Sequence, residues 1–491
     1  MARGTLTACV VLAVLGGVRA QEAIDEGGPR TRTARPARRV LRAGAAATDI
    51  TPTQFPVHMP GLARKNLAQG VHDPLHARAL VLDDGATTIA VVVVDNIGVR
   101  RDAGDRIRPI VTERCGIAPD KILIASTHTH SAPDAYLRKG AIEAVAYGPV
   151  LIEGVADAIV RAHAALRPAA IGHAVHQLPE EVFNRRWFLK PGKMQPNPFG
   201  EMDQVKMNPP NSPDVLLRPA GPTDPDITIL SVRDAMSRQP LALLANYALH
   251  YVGYTPKAKI SADYFGVFAQ LISSRLGAGE DFVAMMSNGA SGDINNRPTG
   301  SSRPSRKPFE QIRIVAQGAA DAAHRAYETI GEHRIDVRVG MIQRQTTLHR
   351  RRPTPEQVER AKAFLAVTGK DERAKLPRGA QRYARSTLAY AKARPTIDVT
   401  LQAFCVGDLG VCAIPFEAFA EVGLELKRRS PFPRTMVIGI ANDKAGYLPT
   451  PDQHKLGGYE TWLGTSRVQP EASIVVTDQL LEMLRELAQE G

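Results

Sequence analysis

Two histidines stand one residue apart in the stretch STHTHSAP, which spans residues 126–133. They are His128 and His130, two of only 13 histidines in the chain, and they follow the apolar run KILIA, where a strand is expected to end. Side chains at positions i and i+2 of an extended segment point the same way. The spacing therefore predicts that both imidazoles face one cavity, one as a metal ligand and the other as an acid or base beside it.

Three further side chains that can bind a metal follow other predicted strands. They are His250 after LALLANYAL, Glu417 after LGVCAIP, where it is expected to open a helix, and Tyr447 at the end of ANDKAGY. Two histidines and a carboxylate from separate strand ends form the ligand set of a catalytic zinc site, and they suit Zn²⁺ better than Ca²⁺ or Mg²⁺. Taken singly, each residue is better explained by a structural role. Their shared position after buried strands is what indicates zinc.

Short predicted strands alternate with longer predicted helices, a pattern typical of the α/β class. Strands are predicted at 87–95, 121–126, 226–234, 240–249, 281–287, 397–406, 409–415 and 435–440. Helices are predicted at 103–115, 141–166, 263–276, 307–331, 354–393 with one break, 417–428 and 474–489. We find no internal sequence repeat. We expect a central mixed sheet or sheets flanked by helices, with the zinc site at the strand ends, where functional residues of α/β proteins collect.

The N-terminal residues of the chain predict export. Residues 1–20 combine a positive start, an apolar stretch and a small-residue cleavage site before Gln21, as in a secretory signal peptide. A secreted or periplasmic protein is therefore expected. Residues 21–43 are rich in arginine and are interpreted as a disordered, solvated arm, with contact to an anionic surface as the alternative. Residues 44–491 are predicted to form one domain.

Composition excludes several classes of protein. Of the 491 residues 44% are apolar and 23% are charged, as in ordinary globular proteins. No apolar run after the signal peptide is long enough for a transmembrane helix, and two tryptophans with few interleaved aromatics give no support for nucleic-acid binding.

Cys405 and Cys412 flank the turn VGDLGV. Two interpretations stay open: the cysteines form a disulfide bridge across the turn, or they are two small buried residues. The Pro/Gly/Asn-rich segment 188–214 is predicted to be a long functional loop.

The stretch THTHSAP resembles the Thr-His-Thr-His-Ser-Gly-Pro motif of the neutral ceramidase family, zinc amidases that cut the N-acyl bond of ceramide. The likeness continues in collinear order from Ala45 to Tyr459, through AATDITP, HDPLHARALVLDDG, FNRR, NYALH, ISADYFG, GDIN, IPFE and GYLPTPDQHKLGGYE. The chain is identified as a divergent member of this family. It resembles the family's N-terminal catalytic domain and is expected to lack the C-terminal immunoglobulin-like domain.

The resemblance implies a role for each matched residue. The zinc ligands would be His128, His250, Glu417 and Tyr447, and His130 would be the active-site histidine beside the metal. Arg185 and Tyr459 would bind the substrate carbonyl or the developing oxyanion. The family's active-site serine falls on Asn295, which cannot be a covalent nucleophile but can donate a hydrogen bond to substrate. Ser291 is a nearby hydroxyl that nothing in the sequence places correctly.

The expected function is that of an exported zinc hydrolase that cleaves an N-acyl amide by means of a metal-activated water. Its partner would be a small-molecule or lipid substrate with an acyl group, in keeping with a role in sphingolipid metabolism. Two alternatives stay open. One is a zinc enzyme that acts on esters or acidic carbohydrates, and the other is a zinc-bearing binding protein without catalysis.

Overall fold

The computed structural model describes Met1 and residues 40–60, 66–135, 142–253, 255–256 and 259–490, and only the backbone of residues 142–146. Apart from Met1, the predicted signal peptide lies outside these residues, as does most of the predicted arm. The first strand begins at Arg42, inside the segment assigned to the arm, because Leu41 and Ala43 are buried in the core. No helix in the described ranges is long and apolar enough to cross a membrane.

The strands are β1 (Arg42–Asp49), β2 (Val57–His58), β3 (Leu67–Ala68), β4 (Gly70–Val71), β5 (His76–Asp83), β6 (Thr88–Val94), β7 (Ile122–Ser126), β8 (Arg167–Gln177), β9 (Phe183–Asn184), β10 (Arg186–Leu189), β11 (Val205–Met207), β12 (Leu216–Pro219), β13 (Asp226–Asp234), β14 (Pro240–Tyr247), β15 (Lys259–Ile260), β16 (Val283–Asn288), β17 (Ile294–Asn295), β18 (Val339–His349), β19 (Thr396–Val406), β20 (Leu409–Ala413), β21 (Glu417–Ala418), β22 (Arg434–Ile438) and β23 (Tyr447–Leu448). The helices are α1 (Arg101–Cys115), α2 (Ile142–Ala164), α3 (Asp263–Arg275), α4 (Glu310–Glu328), α5 (Pro355–Ala366), α6 (Lys370–Lys375), α7 (Ala380–Ala391), α8 (Ala420–Arg429), α9 (Pro451–Leu456) and α10 (Ala472–Gln489).

Two sheets pack face to face, and helices cover both outer faces. The larger sheet has eight strands in the order β16-β14-β13-β8-β1-β5-β6-β7, and the smaller has four in the order β18-β19-β20-β22. In β6, Val91 and Val93 face the core between the sheets, whereas Ala90 and Val92 face α1 and α2. A strand buried on both faces needs apolar residues at every position, which explains the run TTIAVVVVD. Helices α3 and α4 cover the rest of the large sheet, and α8 and α10 cover the small one.

The strands of these sheets form three units with the same topology. The units are β1-β5-β6-β7, β8-β13-β14-β16 and β18-β19-β20-β22. In each unit the first three strands pair antiparallel, and the fourth pairs parallel to the third. The crossover from third to fourth strand carries a helix, which is α1, α3 or α8. The sequence shows no matching repeat, because a core requires apolar residues of suitable volume and not particular identities.

The fourth strands of the three units meet at their carboxyl ends. Strands β1 and β8 share only two residue pairs, so the halves of the large sheet are free to splay, and its edge strands β7 and β16 become neighbours. Three hydrogen bonds join the strand ends in a ring, from Asn288 Nδ2 to Thr127 O (3.3 Å), from Gly439 N to Asn288 O (2.8 Å) and from Ser126 N to Ile440 O (3.2 Å). Loops that leave different units therefore open onto one region.

Two predicted segments differ from the structure. Residues 354–393 form the three helices α5, α6 and α7, with two breaks where one was predicted, because Gly369 and the Pro377–Gly379 turn both interrupt the helix. The segment 188–214 is not a plain loop, since it contributes to a small sheet in the order β11-β10-β12.

Cys405 and Cys412 are buried and form no disulfide bridge. The register pairs Cys405 with Gly410 and Cys412 with Ala403, so the two cysteines are not cross-strand partners.

Candidate active site

Side chains from all three units converge beside the ring of strand ends. His128 follows β7, His250 follows β14 and Glu417 follows β20. Oε2 of Glu417 lies 3.3 Å from Nε2 of His128 and 3.6 Å from Nε2 of His250. All three side chains are buried, and Glu417 Oε2 accepts no hydrogen bond within the described part of the chain. The structure therefore brings together three of the four predicted ligands around one buried carboxylate oxygen.

The two imidazoles are held from behind by backbone carbonyls. Nδ1 of His128 lies 2.7 Å from Ile97 O, and Nδ1 of His250 lies 3.0 Å from Ser291 O. A carbonyl only accepts, so Nδ1 carries the hydrogen and Nε2 of each neutral ring presents a lone pair toward Glu417. In the neutral tautomer that these carbonyls select, both Nε2 lone pairs face the carboxylate oxygen. This donor set fits a divalent cation, and backbone-oriented imidazoles with a carboxylate suit Zn²⁺.

The electrostatics of the cluster favour the metal-binding forms of His250 and Glu417. Burial, and then the repulsion from His128 and Arg185, lowers the pKa of His250 well below its usual value. Burial alone would raise the pKa of Glu417, but His128, Lys444 and His250 hold that pKa well below its ordinary range. Neutral imidazole and ionised carboxylate are the forms that coordinate metals.

The backbone at His128 is not the extended segment that the sequence suggested. His128 has a φ of 70°, in the left-handed region that a non-glycine residue seldom adopts. Its N–H donates to Asn96 O at 2.9 Å, and Thr129 Oγ1 donates to Ser261 O at 2.8 Å. His128 and His130 do face the same cavity, but a locally turned backbone, costing about 1–3 kcal/mol, directs them there.

Glu417 lies in strand β21 and not at the start of a helix. This short strand pairs in parallel with β23, so Glu417 is opposite Tyr447, and helix α8 begins only at Ala420. Glu417 N also donates to Gly446 O at 2.9 Å. This pairing places Tyr447, the fourth predicted ligand, beside Glu417. The prediction that Glu417 opens a helix was wrong because Glu417 and Ala418 join this second, short β-ladder.

His130 lies at the edge of the cluster, with its Nε2 3.3 Å from Nε2 of His128. Its ring stacks on Tyr251, with centroids 3.7 Å apart. Burial, followed by repulsion from His128 and His250, lowers the pKa of His130 well below its usual value. Ligand atoms of His128, His130 and His250 all lie within 4.8 Å of one another. His130 is therefore close enough to be a third imidazole ligand as well as an acid or base.

Arg185 and Tyr459 flank the cluster on the side of Tyr447. Nη2 of Arg185 donates to Gly292 O at 2.6 Å and to the Tyr447 hydroxyl at 3.0 Å. The Tyr447 and Tyr459 rings meet edge to face, with centroids 5.9 Å apart. Burial would lower the pKa of Arg185, but Tyr447 and Glu460 raise it overall, so the guanidinium stays charged. A fixed positive charge thus stands beside the predicted metal ligands.

Asn295 is tied into the wall of the site. It lies in β17, which pairs with β9 directly before Arg185. Its Nδ2 donates to Asn208 Oδ1 at 2.5 Å, and its Oδ1 accepts from Arg297 N at 2.9 Å. The second Nδ2 hydrogen has no acceptor among the described residues. Ser291 Oγ donates to Asn288 Oδ1 at 2.6 Å, on the Nδ1 side of His250 and away from Glu417.

The structure adds three residues that the sequence analysis missed. Glu460 is fully buried and binds Arg185, and Lys444 is half-buried close to Glu417 and His130. Tyr251 supports the ring of His130. A signal for two of them was present, since Tyr251 and Glu460 directly follow the predicted site residues His250 and Tyr459. Lys444 follows strand β22 in the same segment as Tyr447, where it was not considered.

A family model described as neutral/alkaline non-lysosomal ceramidase, N-terminal, matches residues 41–308, which is more than half of the chain. The chain belongs to the neutral ceramidase family. The predicted membership is thereby confirmed, as is the mixed α/β fold. Membership by itself does not assign the ligands or the roles of single residues, which stay predictions.

Several neutral ceramidases are similar to this chain. Neutral ceramidase A of Dictyostelium discoideum is 25% identical over 297 residues, which are 57% of this chain and 39% of that protein. Neutral ceramidase 3 of Arabidopsis thaliana is 30% identical over 138 residues, 26% of this chain and 19% of the relative. The crystal structure of neutral ceramidase from Pseudomonas aeruginosa superposes with a TM-score of 0.70 at 18% identity, over 92% of this chain and 75% of that one. The matched regions span well under half of the curated relatives.

Proposed function

We propose that this protein is a zinc-dependent hydrolase that cleaves an N-acyl amide bond. Zn²⁺ would be held by His128, His250 and Glu417, with Tyr447 as a further ligand. The observation that carries the proposal is Glu417 Oε2, which is buried with no hydrogen-bond partner among the described residues and faces two imidazole nitrogens at 3.3 Å and 3.6 Å. The curated relatives are named neutral ceramidases, so the amide of an N-acyl lipid is the first substrate class to test.

The bound metal would supply Lewis-acid chemistry, which polarises a substrate carbonyl and makes a water molecule more acidic. His130 has its Nε2 3.3 Å from Nε2 of the proposed ligand His128, so as a neutral imidazole it is placed to accept a proton from the attacking water. It can then return this proton to the departing nitrogen. Stacking on Tyr251 holds the ring in place for both transfers. A positioned acid or base of this kind typically contributes about 10²–10⁴-fold in rate.

Arg185 and Tyr459 would stabilise the negative charge that develops on the carbonyl oxygen. Nε and Nη2 of Arg185 are occupied by Glu460, Gly292 and Tyr447, whereas Nη1 donates no hydrogen bond to a described residue. The Tyr459 hydroxyl is similarly without a partner in the described part of the chain. Both donors are therefore left for a ligand, and removal of one such donor costs about 10²–10³-fold in rate.

Water is the nucleophile in this proposal. Asn295 offers an amide where the family's nucleophilic serine is expected, and amides do not form acyl-enzymes. The Ser291 hydroxyl already donates to Asn288. Asn295 would instead use its remaining Nδ2 hydrogen to orient the substrate.

Export through residues 1–20 remains part of the proposal, as does a single domain, which begins with the first strand at Arg42 and not at the predicted residue 44. N-terminal sequencing of the protein secreted by an expressing cell tests the first, with Gln21 as the expected first residue. Finding Met1 retained on the exported protein would contradict it.

The deciding experiment measures zinc content and amide hydrolysis on the same purified samples. We expect one zinc per chain and release of fatty acid from a short-chain ceramide or a related N-acyl amide. His128→Ala and Glu417→Gln should each lose zinc and lower kcat/KM by at least about 10³-fold, since each removes a ligand of the proposed site. His349→Ala and Glu332→Gln are matched controls, because both residues are exposed and lie outside the cluster.

Other outcomes point to the alternatives. Full activity of the His128→Ala variant without zinc would refute the proposal. Zinc binding with cleavage of esters but of no amide would favour the ester alternative. Stoichiometric zinc with no turnover of any amide or ester would favour the binding protein.

A further inference from the structure

A large cleft adjoins the candidate site at Tyr459. Its volume is about 1130 Å³, and its lining includes the segment 194–207, residues Lys375–Arg385 and the turn from Gly458 to Trp462. Tyr459 lines the cleft and also meets Tyr447, the predicted zinc ligand, with ring centroids 5.9 Å apart. A substrate with its amide bond beside Arg185 and Tyr459 would therefore extend into this cleft. Small-molecule sites usually measure roughly 300–1,000 Å³, so the space suffices for a substantial group.

The lining of this cleft is strongly positive. It contains five basic side chains, namely Lys206, Lys375, Arg378, Arg382 and Arg385. Its one acidic residue is Asp203, and neutral donors occupy both carboxylate oxygens. Asn197 Nδ2 donates to Oδ1 at 3.0 Å, and Trp462 Nε1 donates to Oδ2 at 2.8 Å. Asp203 therefore has a structural role, and its single formal negative charge stands against the five positive charges of the lining.

Most of these cations lack an acidic partner. Lys375 pairs with the exposed Glu372 at 2.7 Å, whereas Lys206, Arg378, Arg382 and Arg385 form no ion pair with any residue in the described ranges. Other arginines of the surface are commonly paired, as Arg429 is with Asp478 at 2.9 Å. A concave surface lined by charges of one sign focuses the field and concentrates ligands of the opposite sign. Guanidinium groups in particular bind carboxylate, sulfate and phosphate through two parallel hydrogen bonds.

The base of the cleft is aromatic. The Trp462 ring meets Tyr459 and Tyr383 edge to face, with centroids 5.7 Å and 5.4 Å away. An aromatic base beneath a basic rim suits a ligand with an apolar or ring-shaped body and an anionic group.

We propose that this cleft binds an anionic group of the substrate, so that the enzyme prefers N-acyl amides that carry a carboxylate, sulfonate or similar oxyanion. The inference rests on the proposed amide hydrolysis for its catalytic readout, but the binding of the anion is testable without turnover. The selecting residues are Arg378, which lies just before α7, and Arg382 and Arg385 in the first half of α7.

The experiment compares substrates that differ by one charge. N-dodecanoylglycine is measured against N-dodecanoylglycinamide, and N-dodecanoyltaurine replaces the carboxylate by a sulfonate. N-dodecylsuccinamic acid and its carboxamide cover an anion on the acyl side. The wild-type enzyme should prefer the anionic member of at least one pair, and 0.5 M NaCl should reduce this preference, because salt screens exposed charges.

The decisive variant is Arg378→Gln/Arg382→Gln/Arg385→Gln. Its ratio of kcat/KM for the anionic over the neutral substrate should fall about tenfold, as expected for three exposed charge contacts. The control is Arg106→Gln/Arg325→Gln/Arg485→Gln, which removes the same charge from exposed helical positions without ion pairs in the described structure. Its ratio should stay at the wild-type value. Equal ratios in the two variants, or a wild-type preference for the neutral members of every pair, would overturn the inference.

Calorimetric titration with N-dodecanoyltaurine separates this inference from the proposed function. If no amide is cleaved, saturable binding that weakens about tenfold in the cleft variant and not in the control still supports an anion site. Binding that is absent, or that both variants retain equally, rejects the anion site even if amide hydrolysis is observed.

Discussion

Arg185 donates a hydrogen bond of 2.8 Å from Nε to Oε1 of Glu460, although 275 residues separate the two in the chain. The neighbouring Arg186 donates from Nη1 to the other oxygen, Oε2, at 2.9 Å. All three side chains are buried. One carboxylate thus holds two guanidinium groups behind the candidate site and orients the arginine that would bind the substrate carbonyl.

Replacing Glu460 with Gln should destabilise the protein strongly. The substitution leaves Arg185 and Arg186 buried without their shared counter-charge, and loss of one partner from a buried ion pair typically costs about 3–5 kcal/mol. The free energy of unfolding, measured in urea, should fall by that amount. Glu332→Gln is the control, since Glu332 is exposed and has no ion pair in the described structure. A loss below about 1 kcal/mol for Glu460→Gln would show that solvent or another group compensates the charge.

Replacing Tyr459 with Phe should impair catalysis and leave stability unchanged. The Tyr459 hydroxyl has no hydrogen-bond partner in the described structure, so its removal breaks no internal bond. As an oxyanion donor, it should contribute about 10²-fold to kcat, with little change in KM. Steady-state kinetics on an N-acyl amide and urea unfolding test the two parts. Tyr390→Phe is the matched control. An unchanged kcat would remove Tyr459 from the mechanism.

Replacing Gly292 with Ala should displace the backbone that carries Glu417. A Cβ at Gly292 would lie 2.3 Å from the carbonyl oxygen of Glu417. This atom belongs to the backbone, so it cannot rotate away as the end of a side chain could. We expect a loss of about 1–3 kcal/mol in stability together with weaker zinc binding. Gly279→Ala is the control, because a Cβ there meets nothing within 4 Å. If both variants bind zinc and unfold alike, the close packing of Gly292 on Glu417 does not matter.

Acid should destabilise the protein in part through His454. Burial, followed by Arg351 and Arg186, lowers the pKa of His454 from 6.5 to about 3. Between these values the unfolded chain binds a proton that the native protein does not, so stability falls as the pH drops through this window. His454→Gln removes this proton, and the slope of unfolding free energy against pH should flatten by up to about 1.4 kcal/mol per unit between pH 6 and 4. His349→Gln, an exposed control, should keep the wild-type slope. Equal slopes for His454→Gln and the wild type would contradict the shift.

The family resemblance pointed to site residues that local sequence patterns did not identify, such as Arg185 and Tyr459. Strand β13 was predicted with its observed bounds, because apolar runs report burial directly. The position of Glu417 was mispredicted, because its two-residue strand β21 depends on β23, which lies far along the chain. Helix ends were also difficult to predict. The segment from α5 to α7 has two breaks and not one, because single glycines and prolines determine where a helix ends.

The sequence by itself determined which segments are buried, which class of fold they form, and which histidines and carboxylate stand after strands. Apolar periodicity and residue type are local properties, and they set these features. Only the tertiary structure decided that β7 and β16 become neighbours, that His128 turns through a positive φ, and that Glu460 lies under Arg185. These features depend on how the three units pack against one another. Many different residues satisfy a buried position equally well, so the sequence of one segment does not specify which distant segment it contacts.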